Sequence, residues 1–314
     1  MLQAYSVFDD FPQESIDALV ANDVSITLLP KGMKRPQGAE LKAIIEEYDI
    51  VFISTAQTIS EEMFERVDSI RIVGTVSRGI DHIHVPSKKK DLIHIVNAES
   101  NSSSVAEHVF SLVFAFYKRL LEGRALAAKG KHKKEMSFKP QDISDRTIGV
   151  IGAGSTASEV IRLANAFRMN CLCWTRFPER HRDLMDKGVV FSSLDSLLSQ
   201  SDIISVHLPL LEDTRCLIDS NKIRLIKKDA VFINTSRPGI VDNNALFDMA
   251  RQYPSFSVGM DCDAESISGM WDESMNNVIV TPHIAGGTVQ ARKRLFNDCT
   301  NGVIRTINKQ LYLK

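Results

Sequence analysis

The chain has 314 residues, of which 44% are hydrophobic and 25% are charged, as in an ordinary globular protein. Its 38 basic and 39 acidic residues leave a net charge of −1. This charge gives no electrostatic reason to expect nucleic acid or an anionic membrane as the main partner. No uncharged apolar run reaches the roughly 18 residues that a membrane helix needs. Five cysteines are an odd number that excludes a simple disulfide framework, and the acidic start at Asp9 and Asp10 is unlike a signal peptide, so a soluble, cytoplasmic protein is predicted.

Short apolar runs alternate with amphipathic stretches along most of the chain. The predicted strands are Ile50–Ser54, Ile70–Val76, Leu92–Val96, Ile148–Ile151, Cys171–Trp174, Ile203–Val206, Ala230–Ile233, Phe256–Met260 and Val278–Val280. Helices are predicted at Glu40–Glu47, Ser60–Val67, Thr156–Arg168, Ser220–Ile226 and Asn243–Arg251. This alternation is typical of βαβ units in a parallel sheet that is covered on both faces, and it predicts an α/β protein.

Two breaks interrupt the alternation. The polar stretch Asn97–Ser104 precedes a long predicted helix, Val105–Ala128, and a final predicted helix, Thr288–Asn308, follows Pro282. The simplest layout that fits both breaks is one domain inserted into another. We therefore expect residues 1–100 and 285–314 to form one domain and residues 101–284 to form the other.

A glycine-rich turn lies between a predicted strand and a predicted helix. It has the pattern Gly152-x-Gly154-x-x-Ala157, in which the first glycine permits a tight turn and the second lets the backbone approach a pyrophosphate. The residues Ser155 and Thr156 lead into the helix that follows, and the N-terminus of that helix offers backbone N–H donors to phosphate oxygens. This context predicts a dinucleotide site, the alternative being a glycine turn that binds nothing.

The choice of dinucleotide depends on the end of the next strand. Dinucleotide sites that bind NAD place an acid there, about 20 residues after the turn, to bind the ribose hydroxyls. This chain has Thr175 and Arg176 instead, which could hydrogen-bond and pair with a 2′-phosphate. The sequence therefore favours NADP over NAD; alternatively, Arg176 lies in solvent and weaker contacts hold the ribose.

Together with this turn, five further segments make the sequence resemble the D-isomer-specific 2-hydroxyacid dehydrogenases. The segments are Ser77–Asp81, Ser104–His108, His207–Pro209 with Thr214, Asn234–Arg237 with Val241–Asp242, and Thr281–Gly286. The resemblance implies a doubly wound parallel-sheet Rossmann-type coenzyme domain inserted into a smaller, flavodoxin-like substrate domain. It also implies a homodimer formed through the long helix, and further coenzyme contacts from His207, Pro209, Thr214, Thr235, Ser236, Asp261 and Gly286.

The resemblance places the catalytic residues at Arg237, at His283 and at a nearby acid. The planar guanidinium of Arg237 can bind the carboxylate of a 2-keto acid and polarise its ketone oxygen, and protonated His283 can deliver a proton to that oxygen. A carboxylate beside the imidazole would favour its protonated form. In the family a Glu lies five residues after the strand Asp and is followed by Pro; here Glu265 comes one position early and the Pro is missing. Glu265 is the first choice for the partner of His283, and Asp263 is the second. The resemblance also implies that Asp261 faces the nicotinamide carboxamide.

The substrate loop implied by the resemblance is Ser77-Arg78-Gly79, whose backbone N–H groups would receive the substrate carboxylate. Arg78 either reads a phosphate or second polar group on the substrate or forms an ordinary exposed salt bridge. The nearby pair His82 and His84 lacks the third ligand that zinc requires, so no metal is expected.

These features lead to a functional hypothesis. The expected activity is NAD(P)-dependent interconversion of a small 2-keto acid and its D-2-hydroxy acid, with hydroxypyruvate and glyoxylate as the first substrates to test. Two alternatives remain open: a phosphoglycerate dehydrogenase-like enzyme without a C-terminal regulatory domain, and a dinucleotide-sensing protein of the corepressor type.

Overall fold

The computed structural model describes residues 1–311, with side chains to residue 309. Its strands are β1 (Leu2–Ser6), β2 (Val24–Leu28), β3 (Ile50–Ile53), β4 (Arg71–Thr75), β5 (Ile93–Asn97), β6 (Thr147–Ile151), β7 (Asn170–Trp174), β8 (Val190–Phe191), β9 (Ile203–Val206), β10 (Val231–Asn234), β11 (Ser257–Asp261) and β12 (Val278–Thr281). Its helices are α1 (Gln13–Val20), α2 (Gly38–Glu47), α3 (Ser102–Tyr117), α4 (Leu120–Ala128), α5 (Ser155–Ala166), α6 (Arg182–Met185), α7 (Leu194–Gln200), α8 (Ser220–Leu225), α9 (Asn243–Gln252) and α10 (Val289–Leu311). None of these helices is both long and apolar enough to cross a membrane, in the part of the chain that the structure describes.

The chain forms two compact units. The first unit consists of Met1–Asn101 together with the segment from Val289 onward, and the second unit is Ser102–Thr288. The second unit is therefore an insertion between the two parts of the first.

The first unit is a five-stranded parallel sheet in the order β2-β1-β3-β4-β5, which is the flavodoxin-like order. Its N-terminal and C-terminal segments share one core, because the ring of Phe11 lies 5.0 Å from that of Phe52 and 4.9 Å from that of Phe296 in α10. The core of this unit thus needs residues from both sides of the insertion.

The second unit is a seven-stranded parallel sheet in the order β12-β11-β10-β9-β6-β7-β8. The strand order reverses between β6 and β9, which is the doubly wound, Rossmann-type arrangement. In such sheets ligands bind beyond the carboxyl ends of the strands, at the reversal point. The predicted α/β class with a doubly wound parallel sheet is confirmed.

The sequence pattern was wrong about two helices. The long helix predicted over Val105–Ala128 is two helices, α3 and α4, because Arg119 between them adopts a left-handed conformation (φ 53°) that a continuous helix excludes. The helix predicted over Ser60–Val67 is a single 3₁₀ turn, Glu61–Phe64.

Candidate active site

The glycine-rich turn joins β6 to α5 at the point where the strand order reverses. Gly152 has a φ of 109°, and a Cβ at this position would lie 2.3 Å from the carbonyl oxygen of His207, so no other residue fits without moving the backbone. The N-cap residue of α5 is Gly154, which has no side chain to accept a hydrogen bond from the first turn. The N–H groups at the start of this helix point beyond the strand ends, where an anion can bind.

Thr175 and Arg176 follow β7 directly, on one side of the glycine turn, where the Trp174 carbonyl accepts a 2.8 Å hydrogen bond from the Gly152 N–H. The guanidinium of Arg176 is paired with the carboxylate of Asp213, and it donates a second hydrogen bond, 3.1 Å long, to the Asp213 carbonyl. This pairing lowers the pKa of the Asp213 carboxyl. Arg176 thus has a local counter-ion, a contact that the sequence pattern did not predict.

The loop after β9 lies on the other side of the turn. The buried hydroxyl of Thr214 donates to the Pro209 carbonyl (2.6 Å) and accepts from the Leu211 N–H (2.7 Å), which orders the segment between them. His207 begins this segment, with its N–H bonded to the Ile151 carbonyl at 2.8 Å. These bonds fix the wall against which Gly152 packs.

Thr235 and Ser236 follow β10. Ser236 donates from its hydroxyl to the Val206 carbonyl (2.6 Å), which ties the end of β10 to the end of β9. The buried hydroxyl of Thr235 has no hydrogen-bond partner among the described residues. A glycine turn whose space a Cβ would fill, a helix that begins at a glycine N-cap and a buried hydroxyl without a partner among the described residues are together what a bound dinucleotide would complete, so these residues fit that coenzyme.

Arg237, Asp263 and His283 come from three neighbouring strands. Asn234 in β10 pairs with Met260 in β11, which in turn pairs with Val280 in β12. Each of the three site residues lies three positions beyond this row, so all three emerge at the same edge of the sheet. The outer two strands are about 10 Å apart, which is twice the usual strand spacing.

Asp261, the last residue of β11, is 2% exposed and bonds to the segment that carries His283. Its Oδ1 accepts from the Thr281 hydroxyl (2.6 Å) and from the Ile284 N–H (2.8 Å), and its Oδ2 accepts from the Ala285 N–H (2.8 Å). Gly286 follows in the same segment. The carboxylate expected to face the coenzyme is therefore used largely to shape the His283 segment.

The acid beside His283 is Asp263, the second choice from the sequence. Its Oδ1 lies 3.6 Å from Nδ1 of His283, and both side chains are exposed. Glu265, the first choice, lies in a 3₁₀ turn (Ala264–Ile267), and no hydrogen bond or ion pair joins it to His283 in the described part of the chain. The reason is local: Asp263 precedes that turn and stays level with His283, whereas the turn carries Glu265 away from the register row.

His108 of α3 and Thr281 also lie close to this site, and neither was predicted to have a role there. Nε2 of His108 lies 3.0 Å from the Thr281 hydroxyl and 3.9 Å from Oδ1 of Asp261. Both residues belong to segments that carried the family resemblance, which was the only signal available. Spacing alone could not reveal a contact across 173 positions.

The substrate loop of the sequence analysis, Ser77–Gly79, lies in the first unit, just beyond the carboxyl end of β4. Ser77 donates from its hydroxyl to the Gly79 carbonyl (2.9 Å), and the Arg78 carbonyl accepts from the Asn97 side chain (3.0 Å). These bonds give the loop a defined backbone conformation.

Comparisons with known proteins agree with this architecture. The model of the D-isomer specific 2-hydroxyacid dehydrogenase NAD binding domain matches residues 110–285, which is more than half of the chain. The hydroxypyruvate reductase of Thermotoga maritima is 29% identical over 263 residues, covering 82% of this chain and 84% of that protein. The chain also matches D-3-phosphoglycerate dehydrogenases, about half of whose length it spans.

Two solved structures resemble the whole chain. D-lactate dehydrogenase from Aquifex aeolicus, in complex with NAD and lactic acid, has a TM-score of 0.80 at 26% identity, covering 99% of this chain and 96% of that one. The acyclic imino acid reductase Bsp5, in complex with NADPH and D-Arg, has a TM-score of 0.83 at 28% identity, covering 100% and 98%. With the family model matched across most of the second unit, the chain belongs to the D-isomer specific 2-hydroxyacid dehydrogenase family of nicotinamide-dependent oxidoreductases.

Proposed function

We propose that this chain reduces a small 2-keto acid to its D-2-hydroxy acid, and catalyses the reverse oxidation, with hydroxypyruvate and glyoxylate as the first candidate substrates. The observation that supports this most is the shared level of Arg237, Asp263 and His283, three residues beyond one register row. A cation, a proton donor and a carboxylate at one edge of a sheet are what a keto acid reduction needs.

Arg237 binds the substrate carboxylate and polarises the ketone oxygen. Its side chain is half-buried, and its Nη1 donates to the Ser236 carbonyl at 3.0 Å, which helps to fix the position of the guanidinium plane. Negative charge develops on the ketone oxygen during reduction, so a fixed guanidinium beside it stabilises the transition state more than the ground state.

His283 supplies the proton to that oxygen and takes it back in the oxidative direction. The acid beside it is Asp263, whose Oδ1 lies 3.6 Å from Nδ1 of the imidazole. A bound nicotinamide coenzyme supplies the hydride when the keto acid is reduced and accepts it in the reverse direction.

The second unit is proposed as the coenzyme domain. Gly152, Gly154, Ser155 and Thr156 would hold the pyrophosphate, and the orphaned hydroxyl of Thr235 supports a polar contact nearby. Further coenzyme contacts at the same edge of the sheet are proposed for His207, Pro209, Thr214, Ser236, Asp261 and Gly286.

We propose NADP(H) as the preferred coenzyme, because no acid follows β7 and Arg176 is present there. The pairing of Arg176 with Asp213 modifies this proposal: a 2′-phosphate has to displace the Asp213 carboxylate from the guanidinium. The preference for NADP(H) is therefore expected to be modest.

The first unit is proposed as the substrate domain, with the backbone N–H groups of Ser77–Gly79 receiving the substrate carboxylate. The hydrogen bonds that order this loop support such a role. Arg78 would extend recognition to a second polar group of the substrate.

A homodimer is proposed from the surface of the second unit. Helix α4 has no buried side chain, although it begins with Leu120 and Leu121, which are 55% and 52% exposed. Exposed leucines grouped on one helix are typical of an interface. Sedimentation of the wild type and of Leu121→Glu tests this, since the substitution should shift dimer to monomer.

A cytoplasmic location is proposed from the thiols. All five cysteines are unpaired in the structure, and four of them are buried, as expected in a reducing compartment. The near-zero net charge supports a small-molecule acid, not a nucleic acid, as the main partner.

The proposed activity is tested by mixing the purified protein with NADPH or NADH and hydroxypyruvate or glyoxylate, and following the loss of nicotinamide absorbance. Arg237→Gln should lower kcat/KM by about a hundredfold or more, as expected for loss of a charged transition-state contact. Arg224→Gln is the matched control, because Arg224 is exposed and bonds to Asn221 within its own helix. Tight coenzyme binding without turnover of any keto acid would instead favour the dinucleotide-sensing alternative.

A further inference from the structure

Helix α3 contacts both ends of the segment that carries His283. Ser104 and His108 lie one turn apart on this helix, so they face the same direction. The Ser104 hydroxyl is 3.1 Å from the Thr288 hydroxyl, and Nε2 of His108 is 3.0 Å from the Thr281 hydroxyl. The segment Ser104–His108, one of those that carry the family resemblance, thus contacts both ends of the segment Thr281–Thr288. The proposed chemistry gives these contacts no role.

The direction of each hydrogen bond at Thr281 follows from the number of protons available. The Thr281 hydroxyl has one proton, and the short 2.6 Å contact with the Asp261 carboxylate takes it. The same oxygen can then only accept from His108, so Nε2 of His108 carries a proton. Burial lowers the pKa of His108, with a smaller opposing effect from Asp261, so the neutral imidazole with its proton on Nε2 is the form that fits this site.

Asp261 accepts hydrogen bonds from residues on both sides of His283. Asp261 receives the Thr281 hydroxyl before His283 and the Ile284 and Ala285 N–H groups after it. His283 itself has a φ of 54°, a left-handed conformation that is uncommon for residues other than glycine. The bonds that Asp261 makes on both sides of His283 help to hold its backbone in this conformation.

We propose that His108 is a positioning residue for the acid–base step: through Thr281 and Asp261 it holds Thr281–Ala285 in the conformation that presents His283. The inference rests on the proposed role of His283 as the proton donor. It requires no contact of His108 with substrate or coenzyme. Without the Nε2–H donor the Thr281 hydroxyl loses the partner that fixes its oxygen, and its proton can turn from Asp261 toward the Met260 carbonyl, which lies 3.3 Å away. The left-handed turn at His283 then relaxes.

The test uses hydrogen–deuterium exchange and kinetics on the full-length chain. In His108→Leu, the amides of Ile284 and Ala285 should exchange about five- to tenfold faster than in the wild type, in keeping with the loss of one buried hydrogen bond. The kcat for keto acid reduction should fall by about the same factor, with the dissociation constant of the reduced coenzyme unchanged. His108→Gln, whose amide can donate to Thr281, should restore most of both properties. Ser111→Ala is the control on the same helix, because the Ser111 hydroxyl bonds only to the Glu107 carbonyl among the residues that the structure describes.

The outcomes separate this inference from the proposed function. Absence of turnover in the wild type would reject the proposed function, while the exchange rates would still show whether His108 holds the Thr281–Ala285 segment. Unchanged exchange in His108→Leu would overturn the inference, and so would weakened coenzyme binding with wild-type exchange. If His108→Leu does not fold, Thr281→Val and Thr281→Ser decide: only the valine variant, which lacks the hydroxyl, should exchange faster.

Discussion

Asp261→Asn is the most informative single change, because asparagine has nearly the same shape as aspartate but only one acceptor oxygen in place of two. The carboxylate accepts three hydrogen bonds, one of them at Oδ2 from the Ala285 N–H. Asparagine keeps one acceptor oxygen and replaces the other with an NH₂ donor. If the oxygen stays at Oδ1, the NH₂ group faces the Ala285 N–H; if the amide is flipped, the NH₂ group faces two donors, which is worse.

The cost can be worked out from that geometry. At best two buried donors, the Ala285 N–H and the new NH₂ group, lose their partners, and each loss costs about 1–3 kcal/mol. A total of about 2–6 kcal/mol lowers the population of the His283 segment in its present conformation by roughly 30- to 20,000-fold, at about 1.4 kcal/mol per factor of ten. We expect kcat for keto acid reduction to fall by about a hundredfold.

The assay is steady-state reduction of hydroxypyruvate, combined with direct titration of the reduced coenzyme by nicotinamide fluorescence. Asp263→Asn, a change of the same size on an exposed carboxylate, should lower kcat by no more than about fivefold. Glu265→Gln should behave as the wild type, since no hydrogen bond or ion pair joins Glu265 to His283 in the part of the chain that the structure describes. A large rise in the coenzyme dissociation constant of Asp261→Asn with unchanged kcat would refute the reasoning, because it would assign Asp261 to the coenzyme and not to the segment.

Three further predictions follow from the coenzyme site and the thiols. Gly152→Ala places a methyl group against the His207 carbonyl and should weaken coenzyme binding by at least about tenfold, measured by fluorescence titration. Asp213→Asn removes the competitor for Arg176, so the affinity for NADPH should rise several-fold over that for NADH, whereas Arg176→Gln should lower it; equal effects on both coenzymes would contradict the proposed contact. A disulfide reagent at pH 8 should modify Cys216 alone in the native protein, because burial raises the pKa of the other four thiols and keeps the reagent away from them. In denaturant all five thiols should react. The four protected thiols are those of Cys171, Cys173, Cys262 and Cys299.

The sequence predicted the inner strands of the second unit well, because each is a run of apolar residues buried on both faces. It missed β1 and β2, where polar and apolar residues are mixed: β1 reads Leu-Gln-Ala-Tyr-Ser and β2 reads Val-Ser-Ile-Thr-Leu. β1 is nevertheless a central strand, between β2 and β3. Apolar runs identify strands only where both faces pack fully, and a strand that is half-buried escapes that criterion.

The candidate site shows a similar division. Motif spacing located the glycine turn, and the family resemblance selected Arg237 and His283, but choosing between Asp263 and Glu265 required knowing where a 3₁₀ turn begins. A shift of two residues decides which carboxylate meets the imidazole, and helical boundaries are not determined to that precision by local propensity. Contacts between segments that are far apart in the sequence, such as that of His108 with Thr281, could not be predicted from motif spacing.

The polar stretch Asn97–Ser104 has a physical explanation that its composition did not provide. Within the first unit, the Asp298 carboxylate accepts from the Glu99 N–H (2.7 Å) and from the Ser100 hydroxyl (3.1 Å). Within the second unit, the Ser104 hydroxyl is bonded to that of Thr288, the last residue of the insertion. An inserted domain requires that the chain leave and return at neighbouring points, and these bonds hold the departing and returning segments together in each unit separately. The polarity that marked a domain boundary in the sequence is thus the set of hydrogen-bonding groups that closes the insertion, and Ser104 belongs at once to this closure and to the helical face that holds the His283 segment.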